Sequence, residues 1–245
     1  MLIVANWKAY VETLEKAKRL YAAGKRIAAA GHHDIVLAPP APYLGLLASA
    51  NRSNVEFASQ DVSETLGGAA TGEMTAAAVA SVKAAYAIIG HSERRALGES
   101  DAEILEKVRH ALAHGLTPIL CIGERERDPE ASYLAFLRKQ IQSVYEPLSP
   151  KERAAIVLAY EPIWAIGKSA ADAITPTDLN EMVLYLRKVL GEYLKSPGKA
   201  RILYGGSVEP GNARALAAGS GIEGFLVGRA STDTQAFGAL AKALN

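Results

Sequence analysis

Cysteine is almost missing from this chain of 245 residues: Cys121 stands alone, so an intramolecular disulfide is excluded. No apolar run approaches the ~20 residues that cross a bilayer as a helix, so no membrane partner is expected. Neither sign of charge is in excess, with Lys+Arg 27 against Asp+Glu 26 and a net charge of +1. A chain so balanced has no general basic field for nucleic acid or anionic lipid. An anionic ligand would have to be held by a local site. Met1 leads directly into Leu2-Ile3-Val4-Ala5, a stretch too short and too soon polar for an export segment. Together with the single thiol, this sets the expectation of a reducing, cytoplasmic setting. Linkers rich in Pro, Gly or Ser and low-complexity segments are missing as well, and one domain over residues 1–245 is expected.

What is present is apolar and periodic. The hydrophobic fraction is 49%, enough for a large core. Short β-rich runs recur at Leu2–Trp7, Asp34–Ala38, Val55–Ser59, Tyr86–Gly90, Thr117–Ile122, Ile156–Tyr160, Arg201–Tyr204 and Gly224–Val227. They are nearly continuous in apolar residues, as a parallel strand buried on both faces must be. The stretches between them carry helix signals. Ser100 with Glu103 forms a capping-box pattern that opens Ile104–His114, and Gly115 closes it. Ser149-Pro150 with Glu152 repeats the pattern. Thr175-Pro176 supplies a cap and a proline at the first helical position. Leu179, Met182, Val183, Leu186, Val189 and Leu190 then fall on one helical face. Strict β-then-α alternation implies a parallel sheet with right-handed crossovers. Eight units in a chain near the roughly 250 residues of an α/β barrel favour a closed (β/α)8 barrel. Pattern alone excludes an open doubly wound sheet only weakly.

In such a barrel, chemistry gathers at the C-terminal ends of the strands, and the unusual residues lie there. Lys8, directly after strand one, would point its ammonium at the mouth, where it can hold an anion and stabilise developing negative charge. Asn6 would turn the chain or orient it. His91 lies between a strand and a helix start, whose positive end disfavours imidazolium. A neutral ring can donate a hydrogen bond to a carbonyl oxygen. Glu161, stiffened by Pro162, is a candidate general base if its site closes and dries. Gly205-Gly206-Ser207 and Gly228-Arg229-Ala230-Ser231 follow strands seven and eight. Two such turns on adjacent strands suit a phosphate cradle of backbone N–H groups. Each residue taken singly also has an ordinary structural reading.

Taken together, the residues fit one family. Asn6-Trp7-Lys8, Gly90-His91-Ser92-Glu93-Arg94-Arg95, Ala159-Tyr160-Glu161-Pro162-Ile163-Trp164-Ala165-Ile166-Gly167 and Tyr204-Gly205-Gly206-Ser207-Val208 resemble the triosephosphate isomerases in order and spacing over essentially the whole chain. Thr71-Gly72-Glu73 and Cys121-Ile122-Gly123-Glu124 fit as well. The resemblance implies a TIM barrel that interconverts dihydroxyacetone phosphate and D-glyceraldehyde 3-phosphate through an enediolate, without metal or organic cofactor. It implies Glu161 as base, His91 as neutral electrophile and Lys8 as the neutralising cation, with Glu93 as a supporting neighbour. Asn6, Lys8, Gly167, Ser207, Gly228 and Arg229 would bind substrate. Pro162, Ile163 and Trp164 would hinge a lid.

The sequence departs from the family in two places. The segment from Lys168 to Pro176 lacks the usual glycine-rich stretch. Arg229 stands where the strand-eight turn usually has a second glycine. Its side chain is expected to turn out of the mouth toward an acid and leave only its N–H in the site. The run Gln60–Glu73 is long for a βα loop, which usually has about 2–6 residues, and it resembles the loop through which the family forms homodimers.

Overall fold

The computed structural model describes residues 1–167 and 174–245. Its strands are β1 (Leu2–Asn6), β2 (Asp34–Ala38), β3 (Glu56–Ser59), β4 (Tyr86–Ile89), β5 (Thr117–Ile122), β6 (Val157–Tyr160), β7 (Ile202–Tyr204) and β8 (Gly224–Val227). All pair in parallel with their neighbours, and β8 returns to β1 with Leu2 opposite Gly224. The sheet is a closed barrel. The helices among the described residues are α1 (Leu14–Ala29), α2 (Ala41–Ser49), α3 (Ala76–Ser81), α4 (Ser92–Ala96), α5 (Asp101–Ala113), α6 (Ser132–Tyr145), α7 (Pro150–Ala154), α8 (Pro176–Leu190), α9 (Ala213–Ala217) and α10 (Thr234–Ala243). None of them is long and apolar enough to cross a membrane.

The strands are apolar on both faces because both faces are buried. Leu2, Val4, Val36, Ile88, Ile119, Val157, Leu203 and Leu226 fill the barrel interior with small Ala38, Ala58 and Ala159 among them. Ile3, Ala5, Leu37, Phe57, Ile89, Leu158, Tyr160 and Phe225 face the helices. Each fully buried branched or aromatic side chain contributes about 1.5–3 kcal/mol before entropy is counted. The period-two alternation also places the chemistry. Leu2 and Val4 point inward, so Asn6 does too. Val157 and Ala159 point inward, so Glu161 follows them into the mouth.

Two strands stop one residue earlier than their apolar runs. Strand β1 ends at Asn6 because Trp7 and Lys8 turn away, Lys8 with φ 46°. Strand β4 ends at Ile89 because Gly90 takes φ 71°. The caps fall where local chemistry puts them. Ser100 and Ser149 form complete capping boxes with Glu103 and Glu152, and the Thr175 hydroxyl accepts from the N–H of Asp178.

The long β3–α3 connection is tied at its base. Ser63 N–H donates to Met74 O at 2.8 Å. Buried Lys107 on α5 donates to Asp61 at 2.8 and 3.0 Å and also to Glu99, while Arg94 approaches Asp61 at 3.1 Å. Beyond these anchors the tip is open, and Leu66 is 75% exposed.

Candidate active site

A cavity of about 110 Å³ opens at the C-terminal ends of the strands. Asn6, Lys8, His91, Glu161, Gly167, Ser207, Gly228 and Arg229 all line it. Every site residue expected from the sequence therefore meets at one place.

Glu161 is 2% exposed. Its Oε1 lies 3.0 Å from His91 Nε2, and its Oε2 accepts from the N–H of Ser92 at 3.1 Å. Burial alone would raise its pKa. The charge and hydrogen bond of His91, the Ser92 N–H and Lys8 together outweigh burial and hold it below the usual carboxylate value. The group is thus an ionised carboxylate, and a restrained one. It becomes a stronger base only on leaving these partners.

Glycines make room for it. A Cβ on Gly205 would lie 2.8 Å from Glu161 Cγ, and one on Gly123 would lie 1.8 Å from the Glu161 carbonyl oxygen. The Gly123 and Gly205 contacts explain why glycine stands at the ends of β5 and β7. Beneath the base, burial first and the Glu161 charge second push the Cys121 thiol well up, so it stays neutral.

His91 is buried and caps α4, and its Nδ1 accepts from the N–H of Glu93 at 3.1 Å. In the neutral ring Nδ1 is therefore the bare nitrogen, and Nε2–H faces the cavity. Burial disfavours the charged ring, but the charge and hydrogen bond of Glu161 outweigh burial and raise its pKa, with Lys8 opposing. That rise belongs to the Glu161 contact and goes when the carboxylate leaves. The Glu93 N–H, fixed at the helix start, remains and selects the neutral ring.

Lys8 Nζ donates to Glu93 Oε1 at 2.9 Å. Its backbone sits in the left-handed region, which a non-glycine residue occupies only when its surroundings insist. Those surroundings are identifiable. Asn6 Oδ1 accepts from Lys8 N–H at 3.1 Å. Gln60 Nε2 donates to Lys8 O and to Ala38 O, both at 2.9 Å.

The cradle is backbone from two turns. Asn212 bridges the first, accepting from Glu209 N–H at 2.9 Å and donating to Ser207 O at 3.2 Å. Ser231 locks the second by donating to Val227 O at 3.0 Å and Gly228 O at 2.7 Å. The leading N–H groups of the short turn Arg229–Thr232 have no partner within it. The Arg229 side chain lies outward, with Nη2 3.6 Å from Glu209 Oε1.

Four contributors carried no sequence signal of their role: Ser92 through its N–H, Gln60, Asn212 and Glu124. Buried Glu124 accepts through one oxygen from Tyr160 OH and Trp164 Nε1, both at 2.8 Å, and from Arg127 Nε at 3.1 Å. The Arg127 guanidinium lies over the rings of Trp164 and Tyr133 at 4.9 and 5.2 Å. This network ties down the short helical turn Ile163–Ala165. Within the departing segment from Lys168 to Pro176, residues 168–173 lie outside the described residues.

Comparison with known proteins decides the family. The sequence model of the family described as triosephosphate isomerase matches residues 1–244. The chain belongs to the triosephosphate isomerase family. Curated relatives named triosephosphate isomerase include that of Hahella chejuensis, 40% identical over 96% of this chain and 95% of the relative. That of Symbiobacterium thermophilum is 38% identical over 99% and 96%, and that of Alcanivorax borkumensis 42% identical over 87% of each. Apart from Thr71-Gly72-Glu73 in the β3–α3 connection, the motifs quoted from the sequence line the cavity or pack beside it.

The restraint on Glu161 can be tested at Ser92. This residue is the first of α4, where proline is tolerated, and His91 has φ −54° and ψ 143°, a conformation that proline accepts before it. Ser92→Pro should remove the N–H on Oε2 and leave the helix in place. The Glu161 pKa, followed by carbon-13 NMR of the unliganded protein, should then rise toward or above the ordinary value. An unchanged pKa would show that Ser92 N–H does not hold the carboxylate.

Proposed function

We propose that this chain interconverts dihydroxyacetone phosphate and D-glyceraldehyde 3-phosphate by proton transfer through an enediolate. The observation that carries this reading is the pairing of a buried carboxylate, Glu161, with the Nε2 of a histidine at 3.0 Å, beside a glycine cradle on β7 and β8. Membership of the family and the names of its relatives support it.

The chemistry follows from the geometry. A triose phosphate seats its phosphate against Gly167, Ser207, Gly228 and the backbone of Arg229, with Asn6 and Lys8 beside its carbons. Seating displaces Glu161 from Ser92 and His91, which raises its basicity as the site dries. The carboxylate takes a proton from the carbon beside the carbonyl. His91 Nε2–H, now free of Glu161, donates to the carbonyl oxygen and handles the protons on the two oxygens. Lys8 stabilises the negative charge as it develops. Glu161 returns the proton to the neighbouring carbon. Phosphate lies far from the bonds that change, so its binding energy is available to orient the reacting carbons and close the site.

An assay coupled to consumption of dihydroxyacetone phosphate tests the activity. Glu161→Asp should lower kcat by about 10²-fold or more and change KM by less than about threefold, because the base retreats by about one bond while the cradle stays. An unchanged kcat would remove Glu161 from the role of base.

The same reading includes a homodimer in a cytoplasmic setting, built from one catalytic domain per chain. Support comes from the exposed Leu66 at the tip of loop 60–73 and from Leu97, which is also exposed and borders the same cavity as that loop. The loop starts at Gln60, which holds the Lys8 carbonyl, so docking of a partner would stiffen the site. Sedimentation at micromolar concentration should give twice the chain mass. A monomer with full activity would overturn the dimer.

A further inference from the structure

One pair of charges at the cavity is left unused by this chemistry. Among the described residues, the charged ones lining the cavity are Lys8, Glu161, Glu209 and Arg229. Lys8 already has Glu93 at 2.9 Å, and Glu161 is assigned as the base. Glu209 and Arg229 face each other across the gap between the β7 and β8 turns at 3.6 Å, with side chains 44% and 67% exposed.

Glu209 is not free to drift away. Its N–H donates to Asn212 Oδ1 at 2.9 Å, and its carbonyl accepts from the N–H groups of Asn212 and Ala213 at 3.1 and 3.0 Å. Its backbone is therefore anchored two residues after Ser207, which keeps the carboxylate at the lip of a cradle made of backbone dipoles. Left alone there, it would repel an incoming dianion. Arg229 is the cation within ion-pair distance of it among the described residues. In that position its side chain lies largely in solvent beside Glu209 at the lip.

We propose that Arg229 governs affinity for the phosphate dianion indirectly, by cancelling the charge of Glu209, and that its guanidinium does not bind phosphate. Arg229 is thus a positioning residue for the electrostatics of the lip, and only its N–H belongs to the cradle. This inference rests on the cavity being the phosphate site. A unit charge at an exposed lip acts on a dianion through water-like dielectric and is screened by salt. A guanidinium hydrogen-bonded to phosphate acts more strongly and resists screening.

The test uses the full chain and inorganic phosphate as a competitive ligand of triose phosphate, in Arg229→Gln, Glu209→Gln and the double variant. At low ionic strength, Arg229→Gln should weaken phosphate about threefold and Glu209→Gln should tighten it about threefold, and both changes should collapse near 0.5 M salt, where the Debye length is only about 4 Å. The double variant, with both charges gone, should return to the parent's affinity. A double variant as weak as Arg229→Gln, with a loss that survives high salt, would place the guanidinium on the phosphate and overturn the proposal. Single variants that leave phosphate affinity unchanged at low salt would overturn it as well. Failure of phosphate to compete in the parent would instead defeat the assignment of the cavity, and with it the isomerase reading.

Discussion

The N–H of Glu93, aimed at Nδ1 of His91 from the start of α4, is the contact on which the arrangement depends. In the neutral ring it leaves Nδ1 without a proton and so puts the proton on Nε2, toward the cavity. A ring flipped the other way would present an acceptor to Glu161 Oε1 at 3.0 Å, and two acceptors would repel. The same helix start supplies Ser92 N–H to the other oxygen of Glu161. A five-residue helix thus sets the tautomer of the electrophile and the resting place of the base.

Such a site needs close approach, and the structure concedes space where approach is tightest. Gly123 and Gly205 admit the backbone and side chain of Glu161. Lys8 pays in backbone strain for a position that Asn6 and Gln60 enforce. Strain of this kind persists only when neighbours over-determine it, and one of those neighbours belongs to loop 60–73. The site, the loop and the proposed subunit contact are therefore linked through Lys8. On the opposite side of the mouth, Glu124 gathers Tyr160, Trp164 and Arg127, fixing the chain just after the base.

Much of this was legible in the sequence because it is local or periodic. Apolar runs marked the strands, and the polar residues at their C-terminal ends marked the site. Ser100, Ser149 and Thr175 announced their caps because a cap involves residues three apart. What was not legible depends on residues far apart in sequence. Gln60 reaches Lys8 across 52 positions, and Glu124 reaches Trp164 across 40. Ser92 acts through a backbone N–H, which every residue but proline has, so its side chain gave no signal. The last residues of β1 and β4 were read as strand because Trp7 and Gly90 continue apolar runs. Only the backbone turn at Lys8 and the positive φ of Gly90 end them.

The central claim is that the backbone at the start of α4 sets the neutral form of His91 as the Nε2–H tautomer, and nitrogen-15 NMR of the labelled imidazole tests it most directly. At a pH above the pKa of the ring, the account predicts an unprotonated Nδ1 and a protonated Nε2. It also predicts that Glu161→Gln lowers the ring's pKa, because the carboxylate is what raises it. A neutral ring with its proton on Nδ1 would contradict the account.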